Sequence, residues 1–107
     1  MNILNKDIII RKIEHSDYHK GHLSLYHQNF TIDPEKINYE DYVNYINNQV
    51  KNNYYIFVCE LNNKIVASAT CYIEVKLLHN FGKVAHLEDI ITDKNCRNNG
   101  LGKKIIN

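Results

Sequence analysis

The stretch His86-Leu87-Glu88-Asp89-Ile90-Ile91-Thr92-Asp93-Lys94-Asn95-Cys96-Arg97-Asn98-Asn99-Gly100-Leu101-Gly102-Lys103 decides the fold of this 107-residue chain. Val84 to Thr92 mixes apolar and polar residues as a strand does, and Asp93 to Asn99 is turn material. Gly100 to Ile106 begins a helix, with Leu101, Ile105 and Ile106 at helical spacing. A strand that runs through a glycine-containing turn into a helix start is an anion site. The first helical N–H groups have no internal partner, and the helix dipole adds partial positive charge. Gly100 and Gly102 let a phosphate approach the backbone, and Arg97, Lys103 and Lys104 add charge. A diphosphate suits such a loop. The alternative reading is a plain helix start with a flexible entry.

Two common phosphate loops do not fit. The nucleoside-triphosphate loop would need glycine at Arg97 and Ser or Thr at Lys104. The dinucleotide fingerprint would need its third glycine at Ile105. What remains is Arg-x-x-Gly-x-Gly, Arg97 to Gly102. It resembles the coenzyme A pyrophosphate loop of the GNAT superfamily of N-acetyltransferases. Upstream, the corner Glu74-x-Lys76-x-x-His79 and the strand Gly82-x-x-x-His86-x-Glu88-Asp89-Ile90 resemble one branch of that superfamily, the glucosamine-6-phosphate N-acetyltransferases. The resemblance is dense from about Lys64 to Ile106 and looser before it, where Ile10 to Glu14 and Asp33-Pro34-Glu35 also correspond.

Working outward, Asp7 to Ile13 reads as a β-branched strand. A helix capped by Ser16 is expected to run to about Asn29, with Leu23, Tyr26 and Phe30 on one face. Asp33-Pro34 signals a second helix carrying Ile37, Val43, Ile46 and Val50 and ending near Lys51-Asn52-Asn53. Tyr54 to Glu60 is a buried strand, Asn62-Asn63 a two-residue turn, and Lys64 to Val75 the returning strand. That hairpin predicts facing pairs whose numbers sum to 125, so Cys59 faces Val66 and Cys71 faces Tyr54. Lys76 to Lys83 is a corner. The fold class is α/β, a single domain over 1–107. The order of strand, two helices, three antiparallel strands and the start of the cofactor-binding helix matches the N-terminal part of the GNAT fold. The resemblance implies a further half, so the chain is expected to be truncated or completed by a partner.

Composition narrows the function. Net charge is +1 and the pI about 7.7, so no global field draws the chain to nucleic acid or membrane. No apolar run reaches the ~20 residues of a membrane helix. The N-terminus lacks a signal-peptide core. Three cysteines without paired spacing fit a reducing compartment, and the cytoplasm is expected. His15, His19 and His22 have the spacing of a helical metal face, but no carboxylate or cysteine follows at a fitting interval, and no metal is expected.

The resemblance implies acetyl transfer from acetyl-CoA to the amine of glucosamine 6-phosphate, giving N-acetylglucosamine 6-phosphate for UDP-N-acetylglucosamine synthesis. The alternatives are a GNAT acetyltransferase for another small amine, or a non-catalytic remnant that binds coenzyme A. It implies that the backbone of Ile90, Ile91 and Thr92, with the loop Arg97, Asn98, Asn99, Gly100, Leu101, Gly102 and Lys103, holds acetyl-CoA. Glu88 and Asp89 are the catalytic candidates; adjacent on a regular strand, they would point to opposite faces. His86 would share the face of Glu88, in a structural role. His27, Lys76, Leu77, Leu78 and His79, together with Glu88, Asp89 and Ile90, are the candidate contacts to the sugar phosphate, whose phosphate needs cationic donors. A homodimer with no macromolecular partner beyond its own copy is implied. The family's downstream tyrosine, which protonates the leaving thiolate, has no match in this chain.

Overall fold

The computed structural model describes residues 8–96. One antiparallel sheet in the order β1-β2-β3-β4 is built from β1 (Ile8–Lys12), β2 (Tyr54–Leu61), β3 (Lys64–Val75) and β4 (Lys83–Thr92). Between β1 and β2 lie a 3-10 segment (His15–Lys20), α1 (His22–Asn29), a short 3-10 turn (Pro34–Lys36) and α2 (Tyr39–Gln49). The cofactor loop Arg97 to Lys103 and the helix expected after it lie outside the described residues.

The helices differ from expectation in two places. The helix expected from Ser16 is broken at Gly21, whose φ of 83° ends the 3-10 segment and starts α1. Its cap is Glu14, not Ser16. The buried anchor of α1 is Leu25, while Phe30 lies beyond the helix and is exposed. Asp33 does cap Pro34–Lys36 through the Glu35 amide, but Ile37 closes that turn and a new helix starts at Asn38. Asn38 and Asp41 form a capping box, which satisfies two otherwise unpaired amides.

The hairpin Asn62-Asn63 forms as expected, with φ of 50° and 64°. Near the turn the pairs sum to 125, as in Glu60↔Ile65. Beyond it Val66 is an extra residue, and the sum becomes 126: Cys59 faces Ala67 and Cys71 faces Tyr55. One inserted residue turns the rest of the strand over. Ile65 therefore joins Leu25, Ile56, Val58 and Ile91 under the helices. Val66, Ala67 and Ala69 pack with Cys59, Leu61 and Cys96 on the opposite face.

A buried ion cluster closes one end of the helical face. Asp17, fully buried, accepts two hydrogen bonds from Arg11, at 2.7 and 2.9 Å, and one from the Glu14 amide. Arg11 also donates to Glu60 at 2.6 Å, and Lys20 donates to Glu60 at 3.2 Å. Burial pushes the Asp17 carboxyl up, but Arg11 and the Glu14 amide outweigh it and hold the group below the usual carboxylate range.

Candidate active site

A second bulge, in β4, shapes the site. Ser68 faces Ile91 and Thr70 faces Glu88, so Ala69 alone opposes both Asp89 and Ile90. Asp89 takes a φ of 51°, a left-handed conformation that aspartate tolerates better than most residues. The extra residue removes the expected opposition of the two acids. Glu88 faces the helical side, where it accepts a 3.4 Å hydrogen bond from the Tyr72 hydroxyl. Asp89 lines a cavity on that same side. Ile91 sits there as well, buried against Leu25. Two acids and an anchor three residues apart share one face only because the strand is bulged. The bulge also interrupts the β3–β4 ladder at Asp89 and Ile90, while Ile91 and Thr92, which with Ile90 are expected to meet acetyl-CoA, stay paired with Ser68 and Ala67.

The cavity lies between α1, α2 and the sheet and measures about 350 Å³. Tyr26, Tyr42, Tyr45 and Tyr54 contribute rings to its wall, with Thr70 and Asp89 at the sheet. His22 is buried in the same wall and bridges the Tyr42 hydroxyl (2.8 Å) and Ser68 Oγ (3.0 Å). Burial pushes its pKa down to about 4, with Asp17 opposing the shift, so the ring is neutral near pH 7. A neutral imidazole gives one of these bonds and accepts the other. The Tyr54 phenol is raised first by its 3.4 Å hydrogen bond with Tyr45 and then by burial. Tyr26 is raised by burial, which its bonds to Ser68 and Thr70 oppose, and the Asp89 charge adds to the rise.

His86 shares the face of Glu88, as expected. Its ring stacks on Tyr72 with centroids 4.5 Å apart, and its Nε2–H donates to Glu74 at 3.0 Å. Lys76 Nζ lies 3.7 Å from the same Glu74 carboxylate. Hydrogen bonding from His86, followed by the Lys76 charge, holds the Glu74 carboxyl below its ordinary range. His79 is exposed on a turn, Leu78–Phe81, in which His79, Asn80 and Phe81 all have positive φ.

Within one chain the corner does not meet the acids. Glu88 pairs with Thr70 and Lys83 with Val75, so Lys76 stands six residues along β3 from the partner of Glu88. At strand rise that is about 20 Å, too far for one sugar phosphate to bridge. Lys76, Leu77, Leu78 and His79 therefore form a group separate from Glu88, Asp89 and Ile90. His27 is also elsewhere: it is exposed, and its Nδ1–H donates to the Ile32 carbonyl at 2.8 Å. The three-histidine face does not form either. His15 donates to Asn47, His19 stacks on Tyr39, and His22 is buried on the far side of Gly21. Among the described residues no group of acids, histidines and cysteines could hold a metal.

Sequence reasoning missed the clamp that ends β4. Asp93 is buried, and its carboxylate accepts from the Asn95 amide (2.8 Å), Lys64 (3.3 Å) and Gln28 (3.3 Å). Gln28 Oε1 in turn accepts from the Lys94 amide at 3.0 Å. Burial raises the Asp93 carboxyl, but these donors outweigh it and leave the group below its ordinary range. An Asp followed by Lys-Asn is a readable turn signal. Its link to Gln28, 65 positions earlier, is not.

The profile of the Acetyltransferase (GNAT) family matches residues 12–107. The chain is 33% identical to glucosamine 6-phosphate N-acetyltransferase of Arabidopsis thaliana, over 91% of this chain and 66% of that protein. It is 29% identical to glucosamine 6-phosphate N-acetyltransferase 1 of Dictyostelium discoideum, over 98% of this chain and 68% of that protein. It thus spans about two thirds of the length of these curated relatives. The crystal structure of the Arabidopsis enzyme superposes with a TM-score of 0.84 at 32% identity, covering 92% of this chain and 69% of that one. An aminoglycoside acetyltransferase from a soil metagenome, crystallised with sisomicin, is more distant: TM-score 0.70 at 28% identity, over 95% and 66% of the two chains. The sheet, the helical layer and the sequence agree: the chain belongs to the acetyltransferase (GNAT) family of acyl-transfer enzymes.

Proposed function

We propose that the protein of which this chain is part transfers an acetyl group from acetyl-CoA to the amine of glucosamine 6-phosphate, yielding N-acetylglucosamine 6-phosphate for UDP-N-acetylglucosamine synthesis. The observation that carries this reading is the β4 bulge, which brings Glu88 and Asp89 to one face beside the backbone of Ile90 to Thr92. A glucosamine amine is mostly protonated near neutral pH and must lose a proton before it attacks the thioester. A carboxylate in contact with it, directly or through water, orients it and takes that proton. Backbone N–H groups beside the bulge suit the oxyanion that develops on the thioester carbonyl. Arg97 and the amides of Asn98 to Lys103 are proposed to hold the coenzyme A pyrophosphate.

The distance from Lys76 to Glu88 calls for a second copy. In this reading the corner Lys76 to His79 of one protomer reaches the Glu88-Asp89-Ile90 site of its partner and supplies the phosphate-binding charge. The corner suits an interface: Leu77 is 80% exposed, Leu78 68% and Phe81 66%. Large apolar side chains grouped in this way mark contact surfaces. We place the homodimer in the cytoplasm.

The test is thiol release from acetyl-CoA with glucosamine 6-phosphate, glucosamine, an aminoglycoside and spermidine as acceptors. Glucosamine 6-phosphate is expected to give the highest kcat/KM, and Asp89→Asn to lower kcat by about 10²–10⁴-fold, the range for removing a general base. A higher kcat/KM with unphosphorylated acceptors would refute the sugar-phosphate assignment.

A further inference from the structure

We infer that the cavity between α1, α2 and the sheet binds a hydrophobic primary amine, its ammonium at Asp89 and its apolar body among the tyrosines. The volume of about 350 Å³ lies within the range of small-ligand sites, about 300–1,000 Å³. Two features of the wall select the ligand. The first is charge. Among the described residues, Asp41 and Asp89 line the cavity and no lysine or arginine does, so the space favours a cation over a phosphate. Tyrosine faces add a cation–π attraction for an ammonium. The Asp89 charge reaches into the cavity, since it helps raise the phenols of Tyr26 and Tyr54.

The second feature is hydrogen-bond saturation. His22 has both ring nitrogens engaged, one with Tyr42 and one with Ser68, and Tyr45 is bonded to Tyr54. The hydroxyls of a sugar ring would find few free groups here, and each unmet one costs free energy. An aromatic or branched aliphatic body loses nothing of the kind and gains contact with Ile37, Ile56 and the rings. The amine therefore has the same terminus as a sugar acceptor, Asp89, while its body takes a different direction. The inference rests on the proposed function only through that shared carboxylate.

Calorimetry with 2-phenylethylamine tests it, with 2-phenylethanol as the uncharged control. The amine is expected to bind saturably and about tenfold or more tightly than the alcohol. Ile37→Trp, which fills the cavity, and Tyr45→Ala, which removes a half-exposed wall and spares the core, are each expected to weaken the amine about fivefold or more. Both variants should leave acetyl transfer to glucosamine 6-phosphate within about twofold of the parent. Absence of saturable binding up to about 10 mM, equal affinity for amine and alcohol, or indifference to both variants would each overturn the inference. Binding of 2-phenylethylamine without acetylation of glucosamine 6-phosphate would refute the proposed function and leave the cavity assignment standing.

Discussion

His22 gives the chain a pH dependence that can be worked out in advance. Its ring is 2% exposed, with a pKa of about 4 in the folded chain against about 6.5 when unfolded. Between those values the unfolded chain binds a proton that the folded chain refuses, so stability rises with pH. The contribution is complete above about pH 6.5 and shrinks as the pH falls toward 4. Comparing proton binding in the two states at pH 5 gives a loss of about 2 kcal/mol relative to pH 7.5. With an m-value near 2 kcal/mol/M, the urea midpoint should fall by about 1 M. The carboxyls of Asp17 and Asp93 are depressed, so their stabilisation is lost only below the unfolded aspartate pKa of about 4. The window from pH 5 to 6.5 therefore belongs mainly to His22. Urea unfolding of the parent and of His22→Gln at pH 7.5, 6 and 5 checks this. The variant starts less stable, having lost fitted hydrogen bonds, but its midpoint should change by about 1 M less than that of the parent over this range. Parallel pH slopes for the two proteins would refute the buried neutral imidazole.

Three further outcomes are expected. Arg11→Met leaves Asp17 buried without its bidentate partner and should cost about 3–5 kcal/mol in urea unfolding, whereas an exposed ion pair would cost under about 1. Arg97→Ala should lose about 1.5–3 kcal/mol of coenzyme A binding by calorimetry with little change for the sugar phosphate; unchanged coenzyme A affinity would remove the pyrophosphate assignment. Lys76→Ala and Asp89→Asn should each be nearly inactive alone, yet mixing and reassociating the two should restore about a quarter of parental activity, because half the dimers then hold one intact site. No recovery in a mixture shown to contain heterodimers would refute the shared site.

The hairpin was legible because Asn62-Asn63 states its own backbone conformation, and β4 because its apolar pattern spans the strand to within one residue. The acids Glu88 and Asp89 were legible only through their setting in the longer motif. Other features were written less plainly. Gly21 breaks the first helix, and a glycine inside a helical pattern is a weak signal, since it reads equally as a tolerated interior residue. Asn38-x-x-Asp41 is a capping signature that Asp33-Pro34 overshadowed, and both proved to be used. Neither bulge has a local signature. Val66 is an ordinary strand residue, and Asp89 takes positive φ where glycine would have announced the turn. The pairing of Arg11 with Asp17 and Glu60 depends on which strand lies beside β1, and chain periodicity does not carry that information.

The β4 bulge also sets where specificity would reside in the proposed reaction. A regular strand would send Asp89 away from the helices, and among the described residues the tyrosine-lined cavity would then keep Asp41 as its one acidic group. With the extra residue, one carboxylate stands at the meeting point of three regions: the bulged backbone expected to receive the thioester, the apolar cavity under α1 and α2, and the row of Glu88, Tyr72 and His86 that continues along the same face of the sheet. Sheet hydrogen bonds on both sides of the bulge, and Ile91 packed beneath Leu25, fix that carboxylate more firmly than a loop would. If the proposed reaction holds, selection among amines falls to surfaces that do not touch the reacting atoms. In the proposed reaction the charge on the corner would favour a phosphate, and in the proposed amine site the tyrosine-lined cavity would favour an apolar body. Either can change by substitution in α1, α2 or the corner while the acid and the backbone donors stay in place.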